Sequence, residues 1–233
     1  MLFTRRIEGG KPVLVFLHEA LGSVAQWRDF PDRLCRATGL GGFLYDRAGH
    51  GQSPAMDQPR PLDYLYREAE VLDSLIEPNS ILVGHSDGAS IALIYAASHP
   101  VRAVVAEAPH IDVEPVVITG IQEATTHFAE WEPRLRRYHG DKAGTLLQAW
   151  TGTWLNPEFR TFSIRDLLPQ IRCPVLAIQC DADPYASDRQ LSGIQSLVAD
   201  TEVCWVQGCG HVPHREREDE VLDRMAAFVN RVK

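Results

Sequence analysis

Short apolar runs alternate with longer amphipathic stretches along this chain. Val13–Leu17, Gly42–Tyr45, Ile81–Val83, Ala103–Ala106, Val175–Gln179 and Glu202–Val206 are nearly continuous in hydrophobicity, the pattern of parallel strands covered on both faces. Leu2–Ile7 adds an edge-strand candidate that turns back through Glu8-Gly9-Gly10-Lys11-Pro12. Helical patterns lie between the runs. Leu62–Ile76 carries Leu65, Ala69, Leu72 and Ile76 on one stripe and is stopped by Pro78-Asn79. Ser86–Ser98 is a second helix, and Asp219–Val232 a third, with Val221, Leu222, Met225, Phe228 and Val229 as its apolar face. Strands alternating with helices predict the α/β class: a mostly parallel sheet flanked by helices, joined by right-handed crossovers. From about Pro109 to Pro169 the rhythm breaks. That stretch has no strand pattern, but several helix-like pieces rich in Phe128, Trp131, Tyr138, Trp150, Trp154 and Phe159. We expect a core of residues 1–108 and 170–233, with 109–169 inserted as a helical lid over the carboxyl ends of the strands, where open α/β sheets bind ligands. Most of the aromatics would pack the insertion onto the core, and a few would face a ligand.

Candidate chemistry sits at one junction of this pattern. Gly84-His85-Ser86-Asp87-Gly88 follows an apolar run and opens a helical one. A strand, a sharp turn and a helix with Ser at the apex is the context that makes G-x-S-x-G a nucleophile elbow. The glycines permit close packing of strand and helix, and the helix N-terminus favours a developing negative charge. A serine nucleophile needs a base, and the base needs an orienting carboxylate. Gly208-Cys209-Gly210-His211 directly follows the last strand candidate, so position selects His211 from the nine histidines. The carboxylate should follow the preceding strand, at Gln179-Cys180-Asp181-Ala182-Asp183-Pro184, where Asp181 and Asp183 compete. Glu107, closing an earlier strand, is a further rival; its alternative is a buried hydrogen-bonding group or a pocket wall.

Composition narrows the function classes. The 233 residues suffice for one buried core, and 45% hydrophobic with 23% charged residues is ordinary for a globular chain. A net charge of -8 argues against a nucleic-acid surface. No run approaches the length of a membrane span, and Met1–Ile7 lacks the pattern of a signal peptide. Five cysteines without a C-x-x-C pair suggest buried free thiols in a reduced, cytoplasmic protein. The expected partner is a small-molecule substrate, with no membrane, metal or organic cofactor; monomer and homodimer both stay open.

These motifs together resemble the α/β-hydrolase fold superfamily, from residue 13 to about 229. Leu17-His18 with Gly22-Ser23 and Trp27 is similar to the family's oxyanion loop. Asp46-Arg47-Ala48-Gly49-His50-Gly51-Gln52-Ser53 is similar to its D-x-R-G-x-G-x-S loop, with a small shift in spacing. The segment Leu168–Leu176, then Asp183-Pro184 and Gly210-His211, resembles the acid-and-base end, and the order Ser…Asp…His is the family's. The resemblance implies an α/β-hydrolase fold with a helical cap and selects Asp183 over Asp181, because Cys180 stands where the family ends the strand with glycine. It implies an oxyanion hole from the backbone N–H of Asp87 and one in the His18–Leu21 loop, taken here as Ala20. Glu19 replaces the usual glycine after His18, which leaves the second donor open. His18 and His85 are read as structural, His110 and His214 as bystanders.

The Ser-Asp-Gly elbow is similar to that of valacyclovir hydrolase-like enzymes, serine esterases acting on amino-acid esters. That likeness implies Ser86, His211 and Asp183 cleaving a small carboxylic ester, with Asp87, Glu19 and Glu107 making the pocket mouth acidic and favouring neutral or cationic esters. The alternative for Asp87 is a cap on the elbow helix. Trp131, Trp150 and Trp154 join Glu19 and Glu107 as candidate substrate-binding residues. Thioester, lactone or C–C bond hydrolysis, or acyl transfer, would use the same residues; a non-catalytic ligand-binding relative would lose one of them.

Overall fold

The computed structural model describes residues 1–233. Seven strands form one sheet: β1 (Thr4–Ile7), β2 (Gly10–Leu17), β3 (Leu40–Tyr45), β4 (Ile81–His85), β5 (Ala103–Glu107), β6 (Val175–Cys180) and β7 (Thr201–Val206). Their order is β1-β3-β2-β4-β5-β6-β7, with β1 antiparallel to β3 and every other neighbour parallel. Nine helices accompany them: α1 (Phe30–Thr38), α2 (Tyr64–Val71), α3 (Asp87–Ser98), α4 (Pro115–Thr125), α5 (Phe128–His139), α6 (Ala143–Trp154), α7 (Asp188–Leu197), α8 (Pro213–Glu216) and α9 (Glu218–Val232).

Both faces of the inner strands β3, β4, β5 and β6 are buried, which is why they lack polar alternation, whereas the edge strands β1 and β7 are partly exposed. Val15, Leu17, Leu82, Val104 and Ala177 pack with α2 and α3, while Leu14, Phe16, Ile81, Val83, Val105 and Ile178 pack with α1 and α9. Helix α3 is apolar all round because it lies in the middle of one layer, with ten of its twelve residues buried. No helix is long and apolar enough to cross a membrane.

The differences from the sequence reading are local. The helix expected over 62–76 is α-helical only to Val71 and tightens into a 3₁₀ turn at Leu72–Ser74. Helices α1 and α7 lay outside the predicted set. Each carries a terminal signal: Gly39 closes α1 at φ 72°, and the Ser187 hydroxyl accepts the Arg189 N–H at 3.2 Å to open α7. The cysteines differ as well. Cys180 and Cys209 form a disulfide, their Cα atoms 5.3 Å apart, because β6 and β7 are parallel neighbours whose carboxyl ends bring them together. Cys35, Cys173 and Cys204 remain free thiols. Between β5 and β6 the chain forms α4, α5 and α6 but no strand.

Candidate active site

Ser86 sits where β4 turns into α3, at φ 53° and ψ -116°, a conformation that non-glycine residues adopt only under constraint. The constraint is visible in its neighbours. A Cβ on Gly84 would overlap the Gly88 carbonyl, and a Cβ on Gly88 would overlap the Leu17 carbonyl. Strand, helix and the end of β2 thus approach more closely than side chains permit, and the serine is held at the apex. Its backbone N–H donates to the Glu107 carbonyl at 2.8 Å.

Three side chains from distant segments meet there. His211 Nε2 lies 2.9 Å from Ser86 Oγ, and His211 Nδ1 lies 2.8 Å from Asp183 Oδ2. Asp183 also accepts the Tyr185 N–H at 2.8 Å on its other oxygen and is bonded by the Gln179 amide. Burial alone would raise its pKa, but the His211 ring and the Tyr185 N–H outweigh burial and hold it below the usual carboxylate range. Asp181 turns away, accepting the Gly208 N–H at 2.7 Å.

The oxyanion-loop segment is pinned through its carbonyls. Arg47, only 3% exposed, donates to the carbonyls of His18 at 3.3 Å and Glu19 at 2.7 Å. His50 Nε2 lies 2.9 Å from the Ala20 carbonyl, and His139 Nε2–H donates to the Leu21 carbonyl at 3.0 Å. The His139 tautomer follows from its other nitrogen, which accepts the Gly51 N–H at 2.9 Å. Four successive carbonyls are therefore held. Ala20 and Asp87 both line the cavity above Ser86, and the Asp87 N–H, first in α3, has no carbonyl one turn back within the helix.

That cavity has a volume of about 190 Å³ and is walled by Val117 and Ile121 of α4, Trp131 of α5, Trp150 and Trp154 of α6, and Tyr185. Glu19 and Asp87 also line it. Glu107 does not. It lies buried behind, accepting the His214 N–H at 2.6 Å and facing His214 Nδ1 at 2.7 Å. It is a satisfied buried carboxylate rather than a pocket wall, because His214, beyond β7, closes over the end of β5 and takes both of its oxygens. Asp87 does not cap α3 through its side chain; Tyr64 donates to its Oδ2 at 2.8 Å, and Arg47 Nη1 lies 3.6 Å from the same oxygen.

Two histidines carry more than the sequence indicated. His85 Nε2–H donates to the His211 carbonyl at 2.7 Å, and its Nδ1 lies 3.4 Å from Glu19 Oε2. Burial works against a charge on His85, but the Glu19 and Glu107 carboxylates outweigh it and push its pKa up to about 9. Glu19 is held reciprocally well below the carboxylate range, its burial outweighed by His85. His110, read from sequence as a bystander, forms part of the cavity wall beside Ser86 and His211. His85 sits in the elbow motif itself, where sequence does not record its partners Glu19 and His211, and His110 is a lone histidine that only the end of β5 brings to the site. His85, Glu107 and His214 also offer ligand atoms within 4.8 Å of one another. Glu107 and His214 are already bonded to each other, and His85 Nε2 to the His211 carbonyl.

Residues 14–224 match the Alpha/beta hydrolase family. The chain is 27% identical over 250 residues to the sn-1-specific diacylglycerol lipase ABHD11 of Xenopus laevis, covering 94% of this chain and 80% of that protein. It is 27% identical over 161 residues to the human serine hydrolase BPHL, covering 60% of this chain and 52% of that protein. The enol-lactonase from Burkholderia xenovorans LB400 shares the fold, with a TM-score of 0.76 at 19% identity over 98% of this chain and 96% of the other.

Proposed function

The chain belongs to the alpha/beta hydrolase family, and we propose that it is a serine hydrolase cleaving a small carboxylic ester through an acyl-enzyme on Ser86. One observation carries the reading: the continuous hydrogen-bonded series Ser86–His211–Asp183 opens onto an apolar cavity. The likeness to proteins named as a diacylglycerol lipase and a serine hydrolase supports ester chemistry.

The steps follow from the atoms. His211 Nε2 takes the proton of Ser86 Oγ as the oxygen attacks the ester carbonyl. Asp183 holds the Nδ1–H tautomer and stabilises the imidazolium. The N–H groups of Asp87 and Ala20 receive the tetrahedral oxyanion, each such donor typically worth about 3–4 kcal/mol. His211 returns the proton to the departing alkoxide, and water then cleaves the acyl-enzyme by the same proton route.

Size and charge narrow the substrate. A cavity of about 190 Å³ is below the ~300–1,000 Å³ of sites that enclose drug-sized ligands, so short acyl and alkoxy groups fit best. The two carboxylates that line it are compensated, Glu19 by His85 and Asp87 by Arg47 and Tyr64. Neutral esters are therefore favoured over cationic ones. The insertion acts as a fixed roof: His139 bonds Gly51 and Leu21, and Lys142 donates to the carbonyls of Gly51 at 2.8 Å and Ser53 at 2.6 Å.

Rapid-mixing hydrolysis of p-nitrophenyl acetate tests the reading. A burst of one p-nitrophenol per chain, absent from Ser86→Ala, is the expected result. An unaltered rate in Ser86→Ala, or failure of a fluorophosphonate to label Ser86, would remove it.

A further inference from the structure

His110 differs from the other buried histidines. The rings of His18, His50, His85, His139 and His214 each have at least one nitrogen in a hydrogen bond to a protein group. His110 is as deeply buried, at 3% exposure, yet neither of its ring nitrogens bonds a protein group: Nδ1 is sealed in without a partner, and Nε2 is the nitrogen left on the side that lines the cavity. Its backbone is fixed. The His110 N–H donates to Ser90 Oγ at 3.1 Å, and the Ser90 hydroxyl donates to the His110 carbonyl at 2.7 Å, one helical turn beyond Ser86. The ring is clasped too, with its centroid 5.0 Å from that of Trp154 and 5.9 Å from that of His211.

An unpaired polar group in an apolar wall costs free energy on folding, typically about 1–3 kcal/mol. Its orientation costs nothing further when a ligand arrives, because neighbouring rings already set it. Burial and the adjacent His211 pull the His110 pKa down to about 4, so the imidazole is neutral near pH 7, with one N–H donor and one lone pair. Nε2 of a neutral imidazole matches an oxygen substituent, a hydroxyl best of all, since a hydroxyl can accept from Nε2–H in one tautomer or donate to its lone pair in the other. It gives no advantage to a purely hydrocarbon chain, which the surrounding Trp, Val and Ile walls would take equally well.

We propose that His110 is a specificity-determining residue that recognises a hydroxyl carried by the substrate close to its scissile ester bond, making the preferred substrate a short hydroxy-ester. The proposal rests on the serine-hydrolase reading and names the substrate class for that same site. Asp87, also in the wall, has an unpartnered Oδ1, but its carboxylate already accepts from Tyr64 and faces Arg47. His110 is the group left free of any such partner.

Two matched ester pairs test this and distinguish which side carries the hydroxyl. Methyl 3-hydroxybutyrate is compared with methyl 3-methylbutyrate, and 2-hydroxyethyl butyrate with propyl butyrate. The wild type is expected to favour the hydroxylated member of one pair by about 10- to 100-fold in kcat/KM, the range one buried hydrogen bond confers. In His110→Leu that ratio should collapse toward one, and in His110→Gln it should return in part. Thermal melting supplies a readout that a structural role would move the other way. Removing an unpaired polar group should leave the Tm of His110→Leu unchanged or higher, whereas a structural histidine would lower it. Equal turnover of both members of each pair by the wild type, a ratio that survives in His110→Leu, or a lowered Tm with an unchanged ratio would overturn the proposal while leaving the hydrolase reading intact. With no ester cleaved and Ser86 unlabelled by a fluorophosphonate, the hydrolase reading falls and takes this proposal with it.

Discussion

Substitution of His85 by Gln probes the charge buried beneath the candidate site. His85 is fully buried, donates to the backbone of His211 and faces Glu19 of the oxyanion loop, with Glu107 nearby. Its pKa is pushed from the ordinary 6.5 up to about 9, burial opposing the rise and the two carboxylates driving it. A rise of that size corresponds to roughly 3 kcal/mol of folding stability at about 1.4 kcal/mol per pH unit, counted once for the coupled His85–Glu19 pair. The sign follows from proton binding. The folded protein holds this proton more tightly than the unfolded chain, so the contribution is complete below pH 6.5. It declines as pH rises and is gone above about 9. Glutamine can still donate to the His211 carbonyl but carries no charge. Urea denaturation of wild type and His85→Gln at intervals from pH 6 to pH 10 should show a gap of about 3 kcal/mol at pH 6 that closes as pH approaches 9. Parallel stability curves across that window would refute a buried imidazolium at this position.

The remaining predictions concern the acid and the disulfide. Asp183→Asn should lower kcat for p-nitrophenyl acetate by about 10⁴-fold, since the amide favours the wrong His211 tautomer. Asp181→Asn, whose partner is the Gly208 N–H, should stay within a few-fold of wild type; the reverse ranking in a steady-state assay would transfer the acid role. Replacing both Cys180 and Cys209 by Ser should cost about 3–4 kcal/mol in urea denaturation, the chain-entropy value for a bridge of 29-residue separation, and dithiothreitol should lower wild-type stability toward that of the variant. Identical stability with and without reductant would show that the bridge adds nothing.

The legibility of the fold came from burial on both faces. Leu14-Val15-Phe16-Leu17 sends alternate side chains into two different cores, so hydrophobicity alone marks the strand. Helices α1 and α7 were less visible because each presents only one apolar face between polar residues, and their Gly39 and Ser187 terminal signals are single residues. Ser86 was legible because an elbow is a local device: its two glycines, strand and helix lie within a few residues. His110 was not, because nothing near Ala108-Pro109-His110 records that its ring would lie among Trp154, His211 and the cavity. The Cys180–Cys209 bridge was hidden for the same reason, since only the β6–β7 register makes its two ends neighbours.

The departure at Glu19 gains a physical meaning from these same long-range contacts. Glycine after His18 would allow a close backbone approach but bring no charge. Glu19 brings a carboxylate that His85 compensates, and His85 in turn holds the His211 backbone. The buried His85 ring thereby joins the loop that would receive the oxyanion to the loop that carries His211. The strand ends supply the rest of the frame: Glu107 bonds His214 three residues beyond His211, and the disulfide joins the residue that closes β6 to the residue two before His211. Asp183 lies three residues past that same Cys180. Base and acid are thus tied to their neighbours by the disulfide and by buried hydrogen bonds, and the cavity carboxylates Glu19 and Asp87 are paired as well. His110 is held differently, because the contacts that fix it reach its backbone and ring faces but leave its ring nitrogens without a protein partner.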